Sequence, residues 1–186
     1  MKRCRWVKES DTLYVEYHDQ EWGRKVQDDQ RLFERLSLEG MQAGLSWITV
    51  LKKREAFRKA FFNFDIDQVA SLDEEVAIPE LMQNKDLIRS EKKLKSIIHN
   101  ARIVRDMQKK DESLTEYLWS FAPQDPFCYA GEVPIAQTPE SEAMSRSLKK
   151  RGFTYIGPVI CYALMQATGM VQDHLVECEL HRQILE

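Results

Sequence analysis

Two groups of side chains in this chain have the types and spacing to do chemistry. The first lies along Ser37-Leu38-Glu39-Gly40-Met41-Gln42-Ala43-Gly44-Leu45-Ser46-Trp47. Leu32, Phe33 and Leu36 before it, and Ile48, Leu51 and Phe57 after it, recur at helical spacing. A carboxylate, Glu39, is therefore expected at the end of one helix and an indole, Trp47, at the start of the next. Gly40 and Gly44 let the backbone turn between them. An acid and an aromatic ring facing each other across such a corner can wall a flat ligand with polar edges. A plainer reading is a solvated glutamate and a core tryptophan. Against it, a helix C-terminal end favours cations, so Glu39 is poorly placed as a surface residue.

The second group is Cys4, His18, His174 and Cys178. His174 and Cys178 are four apart on an expected helix, which puts both side chains on one face. Two thiols and two imidazoles suit a closed tetrahedral zinc site, although Cys4 and His18 do not form a compact pair. Buried cysteines and surface histidines are the alternative. Four cysteines in all, at positions 4, 128, 161 and 178, are too few for a disulfide scaffold. His99 and His181 read as solvated. Cys128 and Cys161 read as unliganded, Cys161 as core.

The elements that must position these groups are helical. Met1 to Asp28 reads as an irregular arm rich in aromatics, with Trp6, Tyr14, Tyr17 and Trp22. Asp28 or Asp29 caps a helix to about Met41, and a second is expected from Ser46 to about Phe62. Short helices follow over Ile66–Leu72 and Glu74–Met82. Ser90 opens a long one with Leu94, Ile97, Ile98, Ala101 and Val104 on one face. A helix over Leu114–Phe121 precedes a loop from Ala122 to Gln137. Thr138-Pro139 starts the next helix and Gly152 ends it; Pro158 and Gly169 bound another. The final helix is expected to carry His174 and Cys178. Strand alternation is nearly absent, so the fold class is all-α.

The length of 186 residues suits one domain over residues 1–186, built as two closely packed lobes. There is no apolar run of transmembrane length, and the charged start is unlike a signal peptide. A cytoplasmic monomer with no membrane partner is expected. The net charge of −3 argues weakly against nucleic acid, but the location of charge counts for more than its sum.

The run from Leu38 to Arg54 closely resembles the 3-methyladenine DNA glycosylase I family. So do Tyr17-His18-Asp19 and Glu21-Trp22-Gly23, and, near the C-terminus, Lys150-Arg151-Gly152-Phe153, Ile160-Cys161-Tyr162, Met165-Gln166-Ala167 and Asp173-His174. The resemblance extends from Arg3-Cys4 to Cys178. It implies a helix-hairpin-helix DNA glycosylase fold, with a structural zinc on Cys4, His18, His174 and Cys178 stapling the arm to the C-terminal helix. It also implies excision of 3-methyladenine from alkylated duplex DNA, with the free base as product and water as nucleophile. Glu39 would then read the amino edge of the cationic base, and Tyr17, Trp47, Trp6, Trp22 and Tyr14 would shape the pocket; Trp6 or Tyr14 could equally pack the arm.

Extrusion of a base needs something to fill its place. By resemblance Leu45 is the wedge and Gln42 the space-filler, against a plain reading of buried leucine and solvated glutamine. Lys85 and Arg89 would meet phosphate in the hairpin Asn84–Leu94. There the chain departs from the family, which usually has glycine where Asp86 and Lys92 stand. Asp86 brings negative charge to a phosphate site, which Lys85, Arg89, Lys92, Lys93 and Lys95 would offset. Lys52 and Lys53 read as a phosphate-facing pair. Asp86 keeps a second function in view, a zinc-stapled helical DNA-binding protein with the pocket but little or no excision.

Overall fold

Several helix starts among the described residues carry side-chain caps. Asp11, Asp28, Asp65, Asp73 and Ser113 each stand just ahead of a helix and accept a hydrogen bond from its first turn. The computed structural model describes residues 1–127 and 135–185. Within them lie α1 (Thr12–Gln20), α2 (Asp29–Gln42), α3 (Trp47–Leu51), α4 (Arg54–Ala60), α5 (Ile66–Ala70) and α6 (Glu74–Gln83). They are followed by α7 (Glu91–Gln108), α8 (Leu114–Trp119), α9 (Pro139–Lys150), α10 (Pro158–Ala167) and α11 (Glu179–Leu185). No strand occurs among the described residues, and the all-α expectation holds. No helix there is long and apolar enough to cross a membrane. Cys128 lies outside the described residues.

α7 packs on α5, α6, α2 and α8, while α10 packs on α9 and α2. α2 is thus enclosed by partners, and its buried set includes Arg35 and Glu39 beside Leu32, Phe33, Leu36, Leu38 and Met41. A glutamate and an arginine in such a position are costly unless they are paired or used.

Several expectations need correcting. The N-terminal arm is not irregular throughout, because Asp11 accepts from the Tyr14 amide and nucleates α1. The helix expected from Ser46 to Phe62 is broken at Lys52–Lys53 into α3 and α4. The break turns Arg54 inward to Glu21 and frees Lys53 Nζ to donate to the Lys85 carbonyl at 3.0 Å. Finally, His174 and Cys178 are on no helix. Their segment spends its backbone groups on neighbours: the Leu175 amide on Cys4 Sγ (3.4 Å), the His174 carbonyl on His181 Nδ1 (2.9 Å), and the Gln172 amide on the Pro126 carbonyl (2.7 Å). The helix starts only at Glu179. His181 is therefore engaged rather than solvated, whereas His99 is exposed as expected, with its Nε2 2.8 Å from the Gly152 carbonyl. Cys161 is core.

The two glycines of the α2–α3 corner do different jobs. Gly40 is inside α2, where a Cβ would stand 3.4 Å from Tyr155 Cβ and from the Tyr155 carbonyl oxygen; it permits close packing rather than a turn. Gly44 makes the turn, at φ +78 with open space around it. Gly44→Ala should therefore destabilise the protein by strain alone, by about 1 kcal/mol. A melting temperature equal to the parent's would show that the corner relaxes freely.

Candidate active site

The site is built on α2. Glu39 is 3% exposed, and its Oε2 meets no protein partner. Burial pushes its carboxyl up to about 8, against the pull of the Arg35 guanidinium one turn earlier. Tyr17, from α1, is also buried; burial first, and then the charge of Glu39, holds its phenol well above the ordinary range. The Tyr17 ring lies 5.3 Å from the ring of Trp47, tilted by 46°. The Trp47 indole N–H is buried without a partner as well. A buried polar atom left unpaired costs about 1–3 kcal/mol. A carboxyl oxygen and an indole N–H are thus both left without a protein partner beside the Tyr17–Trp47 ring pair.

The remaining aromatics continue from this point. Trp6 lies 5.1 Å from Tyr14, 5.1 Å from Trp22 and 6.5 Å from Tyr17. Trp22 in turn sits 4.6 Å from the His174 ring. The arm is thus one aromatic wall between Tyr17 and the cysteine–histidine cluster, with Trp22 at the cluster end.

In that cluster the ligating atoms of Cys4, His18, His174 and Cys178 are buried and all within 4.8 Å of one another, an arrangement that could hold a metal ion. Cys4 Sγ is 3.7 Å from His174 Nδ1, and Cys178 Sγ is 3.6 Å from His18 Nε2 and 3.8 Å from His174 Nδ1. His18 Nδ1 is 2.7 Å from Asp19 Oδ1, and Asp19 is gripped by the Arg3 guanidinium at 2.7–3.0 Å. An imidazole oriented by a carboxylate in this way is the usual support of a metal ligand. Burial lowers both imidazoles, His174 to about 4, and raises the Cys4 thiol to about 12, so both rings stay neutral. Lys2 and Glu179 add a backbone stitch: each amide donates to the other residue, at 2.9 and 3.0 Å.

The groups expected at DNA fall on one region. Gln42 closes α2 half-buried, and Leu45 stands on the corner 41% exposed. Lys85 and Arg89 are exposed on the connection between α6 and α7. Two lysines tie these parts together: Lys53 through the Lys85 carbonyl, and Lys93, whose Nζ donates to the carbonyls of Met41 (2.9 Å) and Ala43 at the end of α2. Lys93 is thus a helix C-terminal cap, and Lys95 makes an exposed surface pair with Glu91. Lys52 pairs with Asp11 at 2.8 Å. Of the pair Lys52–Lys53, Lys53 thus donates to a backbone carbonyl, while Lys52 stays exposed in a surface ion pair. Asp86 is exposed and borders a depression of about 860 Å³ with Lys52, Lys53, Arg58 and Lys59.

Comparison with known proteins then decides the family. The methyladenine glycosylase family matches residues 6–182. The chain belongs to that family. A DNA-3-methyladenine glycosylase of Haemophilus influenzae is 46% identical over 95% of this chain and 96% of its own. A crystal structure of 3-methyladenine DNA glycosylase I superposes with a TM-score of 0.92 at 45% identity, covering 97% of this chain and all of the other. A Staphylococcus aureus 3-methyladenine DNA glycosylase I, solved to explain its recognition of 3-methyladenine, gives 0.88 at 32% identity over 96% of each chain.

Within this glycosylase frame, Glu21, Arg35 and Arg54 are the residues that reading the sequence missed. Glu21 accepts from Arg35 Nη2 and, in a bidentate pair, from Arg54 at 2.7 and 2.8 Å. Although burial opposes ionisation, the two guanidiniums hold the Glu21 carboxyl down at about 2. Glu21 and Arg54 fall inside the motifs that carry the resemblance, but nothing in the sequence pairs them with each other or with Arg35.

Proposed function

We propose that this protein is a DNA-3-methyladenine glycosylase I. It hydrolyses the N-glycosidic bond of 3-methyladenine in alkylated DNA, releases the free base, and so opens base excision repair. The observation that carries the reading is the buried, uncommitted Glu39 oxygen beside the Tyr17–Trp47 pair. An adenine methylated at N3 in DNA is a cation. Electron-rich rings and a carboxylate select it over neutral adenine. Its entry also displaces the proton that Glu39 holds in the empty site, so one positive charge replaces another in a buried place.

The methylated base leaves readily once the glycosidic bond weakens, so no strong general acid is required. The ionised Glu39 stabilises the positive charge of base and sugar while water attacks. Lys53 donates to the Lys85 carbonyl and Lys52 pairs with Asp11 at the surface, which fits hydrolysis by water rather than through a lysine Schiff base. Tyr17 and Trp47 form the faces of the pocket, Trp6 and Tyr14 back Tyr17, and Trp22 joins the pocket to the metal end. Leu45 wedges the duplex and Gln42 fills the gap left by the base.

The metal is zinc. A tetrahedral ion bound at ~2.3 Å to sulfur and ~2.0–2.1 Å to nitrogen sets its sulfur and nitrogen ligands about 3.6 Å apart. The separations of 3.6, 3.7 and 3.8 Å fit that figure. Four protein ligands close the site, so zinc would hold the termini and activate no water. The α6–α7 pair acts as the helix-hairpin-helix, meeting phosphate through Lys85 and Arg89 in a monomeric, cytoplasmic enzyme.

Release of free 3-methyladenine from alkylated duplex DNA by the purified protein tests the reading; DNA binding without release would support the runner-up, a binding protein that kept the pocket. The hairpin has its own test. Asp86→Gly should tighten binding to undamaged duplex several-fold at low salt, with the gain shrinking as salt rises. Unchanged affinity at low salt would mean that the α6–α7 connection does not meet phosphate.

A further inference from the structure

Arg35 stands one turn before Glu39 on α2, so the two side chains leave the same face. It is 5% exposed, yet it makes a single ion pair, from Nη2 to Glu21, and its Nη1 is buried without a partner. The guanidinium carbon lies 5.6 Å from the centroid of the Tyr17 ring. Glu21 is already matched by the bidentate Arg54. With Glu39 protonated, the set Arg35, Glu21, Arg54 and Glu39 therefore carries one surplus positive charge; with Glu39 ionised it is neutral. A surplus buried charge is expensive, and an apolar side chain in its place would serve packing as well or better.

We propose that Arg35 is a positioning residue for base selection, held by Glu21 and Arg54 behind Tyr17 so that Glu39 gives up its proton when a cationic base enters. The inference rests on the reading of Glu39 given above. The groups that bear on Glu39 are Arg35 from its own helix and Tyr17 from α1, with Glu21 and Arg54 behind Arg35. Lys93 caps the end of α2 from α7, Tyr155 packs on Gly40, and Tyr162 of α10 donates to Asp173. Of these, Arg35 is the one whose charge draws the Glu39 carboxyl down against burial. Its guanidinium also packs against the Tyr17 ring.

The test is excision of 3-methyladenine from alkylated duplex DNA, read as kcat/KM across pH. The lesion is a cation throughout, so the rise with pH reports the protein. Arg35→Met should move that rise to higher pH by about one unit and lower the neutral rate roughly tenfold. Arg35→Lys, which keeps the charge, should leave the rise near its original pH. In a Glu39→Gln background, Arg35→Met should move nothing. A rate lowered equally at every pH, or the same movement without Glu39, would overturn the proposal and leave Arg35 a packing residue. Should Arg35→Met fail to fold, Glu21→Gln leaves the guanidinium less neutralised and should move the rise to lower pH; an unmoved rise there overturns the proposal equally. A parent profile that is flat with pH and indifferent to Glu39→Gln would instead sink the reading of Glu39 itself.

Discussion

Removing the metal is expected to lower the melting temperature by on the order of 10 °C. Cys4 and His18 on the arm and His174 and Cys178 near the other end are brought together from opposite ends of the chain. Metal affinity at such a site is folding free energy, because the unfolded chain has no preformed cluster. For a domain of this size each kcal/mol is worth about 2–4 °C, so a loss of only a few kcal/mol gives that fall. Cys178→Ser should do nearly the same, since a hydroxyl is a poor substitute for a thiolate. Trp22 packs on His174 and Trp6 on Trp22, so loosening the cluster should also free the aromatic arm. Excision in the fraction that stays folded should fall less than stability does, because Glu39 and Trp47 stay anchored on α2 and α3 while Tyr17, next to His18 on α1, loses part of its support. About one zinc per chain should accompany the purified protein. Equal melting temperatures with and without metal would show that the hydrogen bonds and ion pairs of Lys2, Arg5, Glu177 and Glu179 hold the ends by themselves.

The helices were legible wherever cap and periodicity agree. Thr138-Pro139 starts α9 with a reciprocal cap to Ser141, and the buried face of α7 is the one its apolar spacing marks. α1 was missed because its residues are aromatic or charged with little periodicity, and a single aspartate nucleates it. The break at Lys52–Lys53 was missed because it follows from distant partners, Glu21 and the Lys85 carbonyl, that no local pattern announces. The same is true of the non-helical run at His174–Cys178, where four-residue spacing suggested a helix and tertiary hydrogen bonds prevailed. Within the site, residue types were readable but pairing was not. Glu39 and Tyr17 could be named, whereas Arg35 acquires meaning only once α2 is enclosed. Lys93 looked like a surface cation and is the cap of that helix.

Glu39→Gln carries the second large effect. The variant keeps the shape and one acceptor oxygen but loses the charge. A charge-assisted hydrogen bond is worth about 1.5–3 kcal/mol, so excision should fall roughly 10- to 100-fold. Stability should move the other way. The folded protein holds the Glu39 proton up to about pH 8, whereas the carboxyl's ordinary value is 4.5. The protonated carboxyl therefore favours the fold fully below the ordinary value, and that advantage is lost as pH rises toward 8. Glutamine has no proton to lose. Glu39→Gln should thus be the more stable protein near neutral pH, by on the order of 3 kcal/mol at most, with the gap closing in acid. Binding to undamaged duplex should barely change.

The most direct measurement is single-turnover release of 3-methyladenine from alkylated duplex DNA by the parent and by Glu39→Gln, repeated from acid to alkaline pH. The parent should release the base, Glu39→Gln should be slower by one to two orders of magnitude at alkaline pH, and the difference should narrow in acid, where Glu39 keeps its proton. Release by Glu39→Gln at the parent's rate at every pH would contradict the assignment of Glu39 as the group that selects the cationic base.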